Sequence, residues 1–149
     1  MKIGLASDHA GFQLKESLKP LLIRLGDSFV DFGTNSEEPC DYPDFAFPAA
    51  EALAKGEVQR AILVCGSGIG MSLCANKVKG VRAALAMTPD IAKVSRQHND
   101  SNALCLAARF TQKETAEEIV EVWLKTEFEG GRHKRRLAKI SAYEQRRNS

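Results

Sequence analysis

Four stretches of this chain hold residues whose types and spacing could do chemistry. In "CGSGIG", residues 65–70, a cysteine closes an apolar run and passes into alternating glycines. A thiol beside a helix start and free backbone N–H groups has its thiolate stabilised, so Cys65 is a candidate base or nucleophile. The glycine-lined turn itself suits an oxyanion, because its N–H groups open at a helix N-terminus. "SDHAG", residues 7–11, sets Asp8 and His9 at the end of a second apolar run, and "AARF", residues 107–110, sets Arg109 at the end of a third. In "EGGRHKRR", residues 129–136, Arg132 and Arg136 stand one helical turn apart with His133 between them. Guanidinium forks match phosphate oxygens, which makes that pair a candidate phosphate clamp.

Each of these has a plainer reading. Cys65 could be a small residue closing a buried strand, as Cys74 and Cys105 are expected to be. "SRQHNDSN", residues 95–102, places His98 and Asn99 at a helix end, where a histidine commonly serves as a C-terminal cap. The arginines could be a solvated basic face or a nucleic-acid patch, although no aromatic stacking set or reading helix accompanies them. The glycine loop is no dinucleotide fingerprint, since Met71 stands where the third glycine belongs, and it lacks the Lys-Ser/Thr pair of a phosphate-binding P-loop.

The elements that must hold these residues alternate. Apolar runs at 2–7, 28–33, 61–65, 81–87 and 102–108 read as strands. Helical spacing covers 11–26, 44–56, 70–78, 88–98, 111–128 and a basic segment from about 132. Pro20 predicts a kink or break in the first helix. Thr88 with Pro89 predicts an N-cap, and Thr111 with Glu114 a capping box. Near-continuous apolar strands alternating with helices predict a three-layer α/β/α, Rossmann-like fold with a five-stranded parallel sheet. In such sheets ligands bind outside the carboxyl ends of the strands, where strand order reverses. If the first and third strands are neighbours, Asp8, His9 and Cys65 flank one crevice.

At 149 residues the chain is expected to form one domain, 1–149. Its start reads as no signal peptide, no apolar stretch is long enough to span a membrane, and the four cysteines show neither C-x-x-C pairing nor metal-like spacing. A cytoplasmic protein with reduced thiols is the expectation. The net charge of +2 is unevenly spread: residues 130–149 carry seven Lys/Arg against one acid, whereas residues 1–129 carry fourteen against eighteen. A basic tail on a mildly acidic body points to a local anionic partner: a phosphate group, nucleic acid, or an acidic face of a second subunit.

Taken together, "SDHAGFQLK", "DYPDFA", "CGSGIGMSLCANK", "GVRAAL", "SRQHNDSNAL" and "EGGRHKRR" resemble the sugar-phosphate isomerase family of type B ribose-5-phosphate isomerases, which also holds the galactose-6-phosphate isomerase subunits. The likeness runs nearly end to end. It implies interconversion of ribose 5-phosphate and ribulose 5-phosphate through a cis-enediolate, in the pentose phosphate pathway, with no metal and no organic cofactor. By position, the resemblance makes Cys65 the base, and has Ser67 with the N–H groups of Gly66, Gly68, Ile69 and Gly70 stabilise the enediolate oxygen. It makes His98 the ring-opening group, puts Asp8 and Tyr42 near the sugar, and has Asn99 hold a hydroxyl. His9, Arg109, Arg132, His133 and Arg136 match the phosphate-binding set. Some members use a glutamate base where Met71 stands here, so this chain resembles the cysteine branch. Ser67 stands where many cysteine-branch members carry threonine. The resemblance also implies a homodimer or homotetramer with sites shared between subunits, and no nucleic-acid or membrane partner. A six-carbon substrate, allose or galactose 6-phosphate, is the near alternative, and a non-catalytic flavodoxin-like phosphate-binding module the distant one.

Overall fold

The five apolar runs do form one sheet. A computed structural model describes residues 1–147; the last two residues of the basic tail, 148 and 149, lie outside the described residues. The element order is β1 (Lys2–Ser7), α1 (Phe12–Arg24), β2 (Ser28–Asp31), α2 (Pro43–Ala54), β3 (Arg60–Cys65), α3 (Ile69–Ala75), β4 (Ala83–Leu85), α4 (Pro89–Asn99), β5 (Ala103–Ala107), α5 (Lys113–Lys125) and α6 (Arg132–Arg147). All four strand pairings are parallel, in the order β2-β1-β3-β5-β4. β1 and β3 are therefore neighbours, and strand order reverses between them.

Alternation along each strand sorts the core into two layers. Ile62 and Val64 of β3 pack on the side of Leu18, Leu22, Ile119 and Trp123, from α1 and α5. Ala61, Leu63 and Cys65 point to the other side, among Ala46, Ala49, Ala50, Met71 and Cys74 of α2 and α3. Burial on both faces explains why the central strands β1, β3 and β5 carry polar residues only at their ends, at Lys2, Ser7 and Arg60. α6 packs against α4. Among the described residues no helix is long and apolar enough to cross a membrane.

Two local expectations need correcting. Pro20 lies inside a continuous α1 and does not break it. α5 has no capping box: Gln112 is the N-cap, no side-chain hydrogen bond caps the helix, and the buried Thr111 Oγ1 has no partner among the described residues. The start of α4 agrees with expectation, with Thr88 Oγ1 accepting from the Ile91 N–H at 3.2 Å.

A fully buried lysine fastens the loop that follows β2. Lys15 Nζ donates to Asp31 Oδ1 at 2.6 Å, to Asp31 Oδ2 at 2.8 Å and to the Thr34 carbonyl at 2.7 Å. Burial works to raise the Asp31 pKa, but hydrogen bonds from Lys15, Lys19 and the Gly33 N–H outweigh it and hold the carboxyl below its ordinary value. The Thr34 N–H reaches the Ser7 carbonyl at 2.8 Å, so this loop and the end of β1 are held as a unit. Removing one partner of a buried ion pair costs about 3 kcal/mol. Lys15→Met is accordingly expected to lose about 3 kcal/mol in denaturant unfolding; a loss near zero would show that Lys19 alone secures Asp31.

Candidate active site

The carboxyl ends of β1, β3 and β5 surround a cavity of about 420 Å³, lined by Asp8, Tyr42, Cys65, Gly66, Ser67, Gly70, Arg109 and Phe110. All of these but Tyr42 come from the glycine loop and the residues at the ends of β1 and β5, as the crevice rule requires. Asp8 is 7% exposed, and its carboxylate accepts from the Gly11 N–H at 3.0 Å. His9 sits on the same turn. Its Nδ1 accepts from the Cys40 N–H at 3.1 Å, so the neutral ring carries its proton on Nε2. Cys40, to which the sequence assigns no role, thus orients His9.

Cys65 ends β3 and is 4% exposed, and the Gly68 N–H donates to its Sγ at 3.2 Å. That contact depends on Gly68 having φ +74°, a left-handed conformation in which a side chain is strained. Ser67 Oγ accepts from the Ile69 N–H at 3.2 Å, which leaves the hydroxyl proton available to donate. Two of the loop's N–H groups are thus directed at Cys65 and Ser67. The Gly70 and Met71 N–H groups lie in the first turn of α3, where no intrahelical acceptor exists. Met71 is fully buried among Cys65 and Cys74 and serves packing. Burial pushes the Cys74 thiol up, as does Cys65 nearby, and Cys105, wholly buried, is pushed up further. Both therefore stay protonated thiols.

Two glycines are required for room. A Cβ on Gly66 would stand 2.9 Å from the Arg109 Nη1 and 3.1 Å from its Cζ; one on Gly70 would stand 2.5 Å from the Tyr42 ring. Gly66 therefore lets the guanidinium lie flat over the loop, and Gly70 lets the tyrosine close over α3. Gly66→Ala is expected to push Arg109 aside and raise KM for a phosphorylated substrate roughly tenfold, the loss of one charged hydrogen bond, with kcat less affected. Steady-state kinetics check this, and an unchanged KM would remove Arg109 from substrate binding.

The remaining candidate residues are elsewhere in the chain. His98 and Asn99 end α4, immediately before Ala103 begins β5, whereas Cys65 pairs with Ala107 at the other end of that strand. The chain rises roughly 13 Å along β5 between those levels. α6 starts beside His98: the Glu129 N–H donates to the Gln97 carbonyl at 3.1 Å, and the His98 and His133 rings stack at 4.3 Å. Burial, then Arg132 and His98, hold the His133 imidazole below its ordinary pKa, with Glu129 opposing them. His98 is not the helix cap, a position taken by Asp100 at φ 44°. Asn99 faces a cavity of about 390 Å³ between β4, α4 and α6. The candidate residues thus form two clusters at opposite ends of the sheet. Asp8, His9, Tyr42, Cys65 to Gly70 and Arg109 make one, and His98, Asn99, Arg132, His133 and Arg136 the other. Sequence reading passed over Phe110, 70% exposed at the first cavity. Its signal was an aromatic residue directly after the arginine that ends β5.

Residues 3–140 match the profile of the family described as Ribose/Galactose Isomerase. The chain belongs to that family. It is 46% identical over 147 residues to Ribose-5-phosphate isomerase B of Escherichia coli, covering 99% of each chain. The structure of Clostridium thermocellum Ribose-5-Phosphate Isomerase B superposes with a TM-score of 0.96 at 46% identity, covering 98% of this chain and 99% of that one. Ribose-5-phosphate Isomerase B from Mycoplasma genitalium, solved with bound Ribulose-5-phosphate, superposes with a TM-score of 0.93 at 44% identity, covering 97% and 96%.

Proposed function

We propose that this chain is an aldose–ketose isomerase that interconverts ribose 5-phosphate and ribulose 5-phosphate. The observation that carries this reading is the Cys65 thiol at the cavity, with the Ser67 hydroxyl and the first-turn N–H groups of α3 beside it. A proton alpha to a carbonyl is weakly acidic, so its removal needs a close base and preorganised donors for the oxygen that becomes negative. In the aldose direction the Cys65 thiolate takes the proton from C2. The electron pair moves through C1 onto O1, giving a cis-enediolate. The Ser67 hydroxyl and the Gly70 N–H donate to that oxyanion. The O2 proton passes to O1, and the Cys65 thiol returns its proton to C1, which leaves the ketose. Asp8 and Tyr42 orient the sugar hydroxyls, and His9 with Arg109 hold the phosphate from this chain.

His98, Asn99, Arg132, His133 and Arg136 cannot reach the same substrate from one chain, since the sheet stands between. We assign them to the site of a second copy: a homodimer, alone or paired as a tetramer, in which each chain completes its partner's cavity. His98 then opens the furanose ring by acid–base transfer, Asn99 holds a hydroxyl, and the arginines complete the phosphate clamp. The buried free thiols suit a reducing cytoplasm, and the protein works there within the pentose phosphate pathway as a single-domain enzyme.

The test is turnover of ribose 5-phosphate by the purified protein, with allose 6-phosphate and galactose 6-phosphate compared by kcat/KM. A large preference for a six-carbon phosphate would overturn the substrate chosen here. Arg136→Ala is expected to raise KM about tenfold or more with a smaller fall in kcat, because a phosphate contact is made alike in ground and transition states. Normal KM for both Arg132→Ala and Arg136→Ala would sink the clamp.

A further inference from the structure

His98, Glu129 and His133 bring one ligand atom each to within 4.8 Å of one another. They come from the last turn of α4 and from the junction leading into α6. The two imidazole planes are inclined by only 14°, and His98 Nε2 lies 4.0 Å from Glu129 Oε1. His133 is 5% exposed, yet its Nε2 has no hydrogen-bond partner among the described residues. Buried polar atoms are nearly always paired, because leaving one unpaired forfeits its hydration. This one sits among other atoms that ligate metals. Glu129 has no part in the isomerisation described above, whereas His133 belongs to the group assigned to the partner's site.

We propose that His98, Glu129 and His133 form a site for a borderline transition-metal dication, with Zn²⁺ as its probe, and that filling it inhibits the enzyme by capturing His98. Two imidazoles and a carboxylate are a donor set that zinc takes, with a fourth position left open. Ligand bonds of about 2.0–2.2 Å in a tetrahedron put the ligand atoms roughly 3.3 Å apart, so the cluster must close by up to about 1.5 Å. The side chains of His98 and Glu129 are 39% and 51% exposed and free to turn toward the ion, while buried His133 is the fixed point. Arg132 and Arg136, which act on His133, oppose any dication. They weigh most against ions held by charge alone, such as Mg²⁺ or Ca²⁺, and least against ions that bond to imidazole nitrogen. The inhibitory half rests on the ring-opening role given to His98 in the preceding reading; the binding half does not.

Calorimetry on the whole, chelator-treated protein decides the binding half. Zn²⁺ is expected to bind one ion per chain, Mg²⁺ not at all. Glu129→Gln should weaken zinc at least tenfold and His133→Gln should abolish it. Co²⁺ in place of zinc should show no thiolate charge-transfer absorption, which separates this cluster from the cysteines. In the isomerase assay zinc should inhibit reversibly. Glu129→Gln should keep the metal-free rate and need at least tenfold more zinc for equal inhibition. The absence of zinc binding, equal affinity in wild type and both variants, or a thiolate band would overturn the site. Full activity of zinc-loaded protein would overturn the inhibition. A metal-free protein without isomerase activity would sink the functional reading and the inhibition together, while calorimetry still decides the ion site.

Discussion

Cys65→Ala is expected to lower kcat on ribose 5-phosphate about a thousandfold while the fold survives. Acid–base catalysis by a placed side chain contributes roughly 10²- to 10⁴-fold, and here one group both removes and returns the proton. No neighbour can replace it: Met71 is apolar, Cys74 and Cys105 are held protonated by burial, and Ser67 lacks an ionisable hydroxyl at neutral pH. KM should change little, since the thiol does not hold the phosphate. Cys65→Ser should be almost as slow, because its hydroxyl retains the size and hydrogen bonding of the thiol but not its acidity. The structural loss is about 1 kcal/mol, that of a small buried atom. Circular dichroism and the unfolding midpoint therefore separate a folded, inactive variant from a collapsed one. Turnover of Cys65→Ala within a few-fold of wild type would remove Cys65 from the mechanism.

The second large effect comes from mixing two proteins that are each nearly inactive below KM. Cys65→Ala damages the cluster at the carboxyl ends of the strands. The double variant Arg132→Ala/Arg136→Ala damages the cluster at the opposite end. If each cavity is completed by a partner, a mixed dimer holds one site with both lesions and one with neither. Random reassociation of equal amounts makes half of the dimers mixed, so the mixture should recover about a quarter of wild-type activity below KM. Activity no higher than the mean of the two parents would mean that each chain builds its site alone. That result would overturn the shared site without touching Cys65. The design depends on the geometry described above: His98 is level with the start of β5, and Cys65 with its end.

How much of this was legible in the residues can be judged from particular elements. The alternation of apolar runs with helical spacing is a local signal, and it placed all five strands and six helices. The glycine loop was legible for the same reason. A cysteine closing an apolar run and followed by glycines has few other ways to fold, and Gly68 takes the left-handed φ that such a turn needs. The cap at Thr88 was readable because a cap spans three residues. The supposed cap at Thr111 failed because the helix starts one residue later, with Gln112 at the N-cap and no side chain capping it, so the Thr–Glu pair is out of register with the helix start.

What the sequence determined by itself is the set of reactive groups and the alternating elements that carry them, since both depend on near neighbours in the chain. Only the tertiary structure decided which of those groups meet. Strand order brings Asp8, Cys65 and Arg109 together although they are far apart in sequence. The return of α4 across the sheet carries His98 to the far end, although it lies only eleven residues before Arg109. A parallel crossover always reverses the chain's course over the sheet, so nearness in sequence and nearness in the site part company. The same holds for Gly66: its place in a glycine-rich loop is plain from the residues, but that its missing side chain makes room for Arg109 is a fact of packing alone.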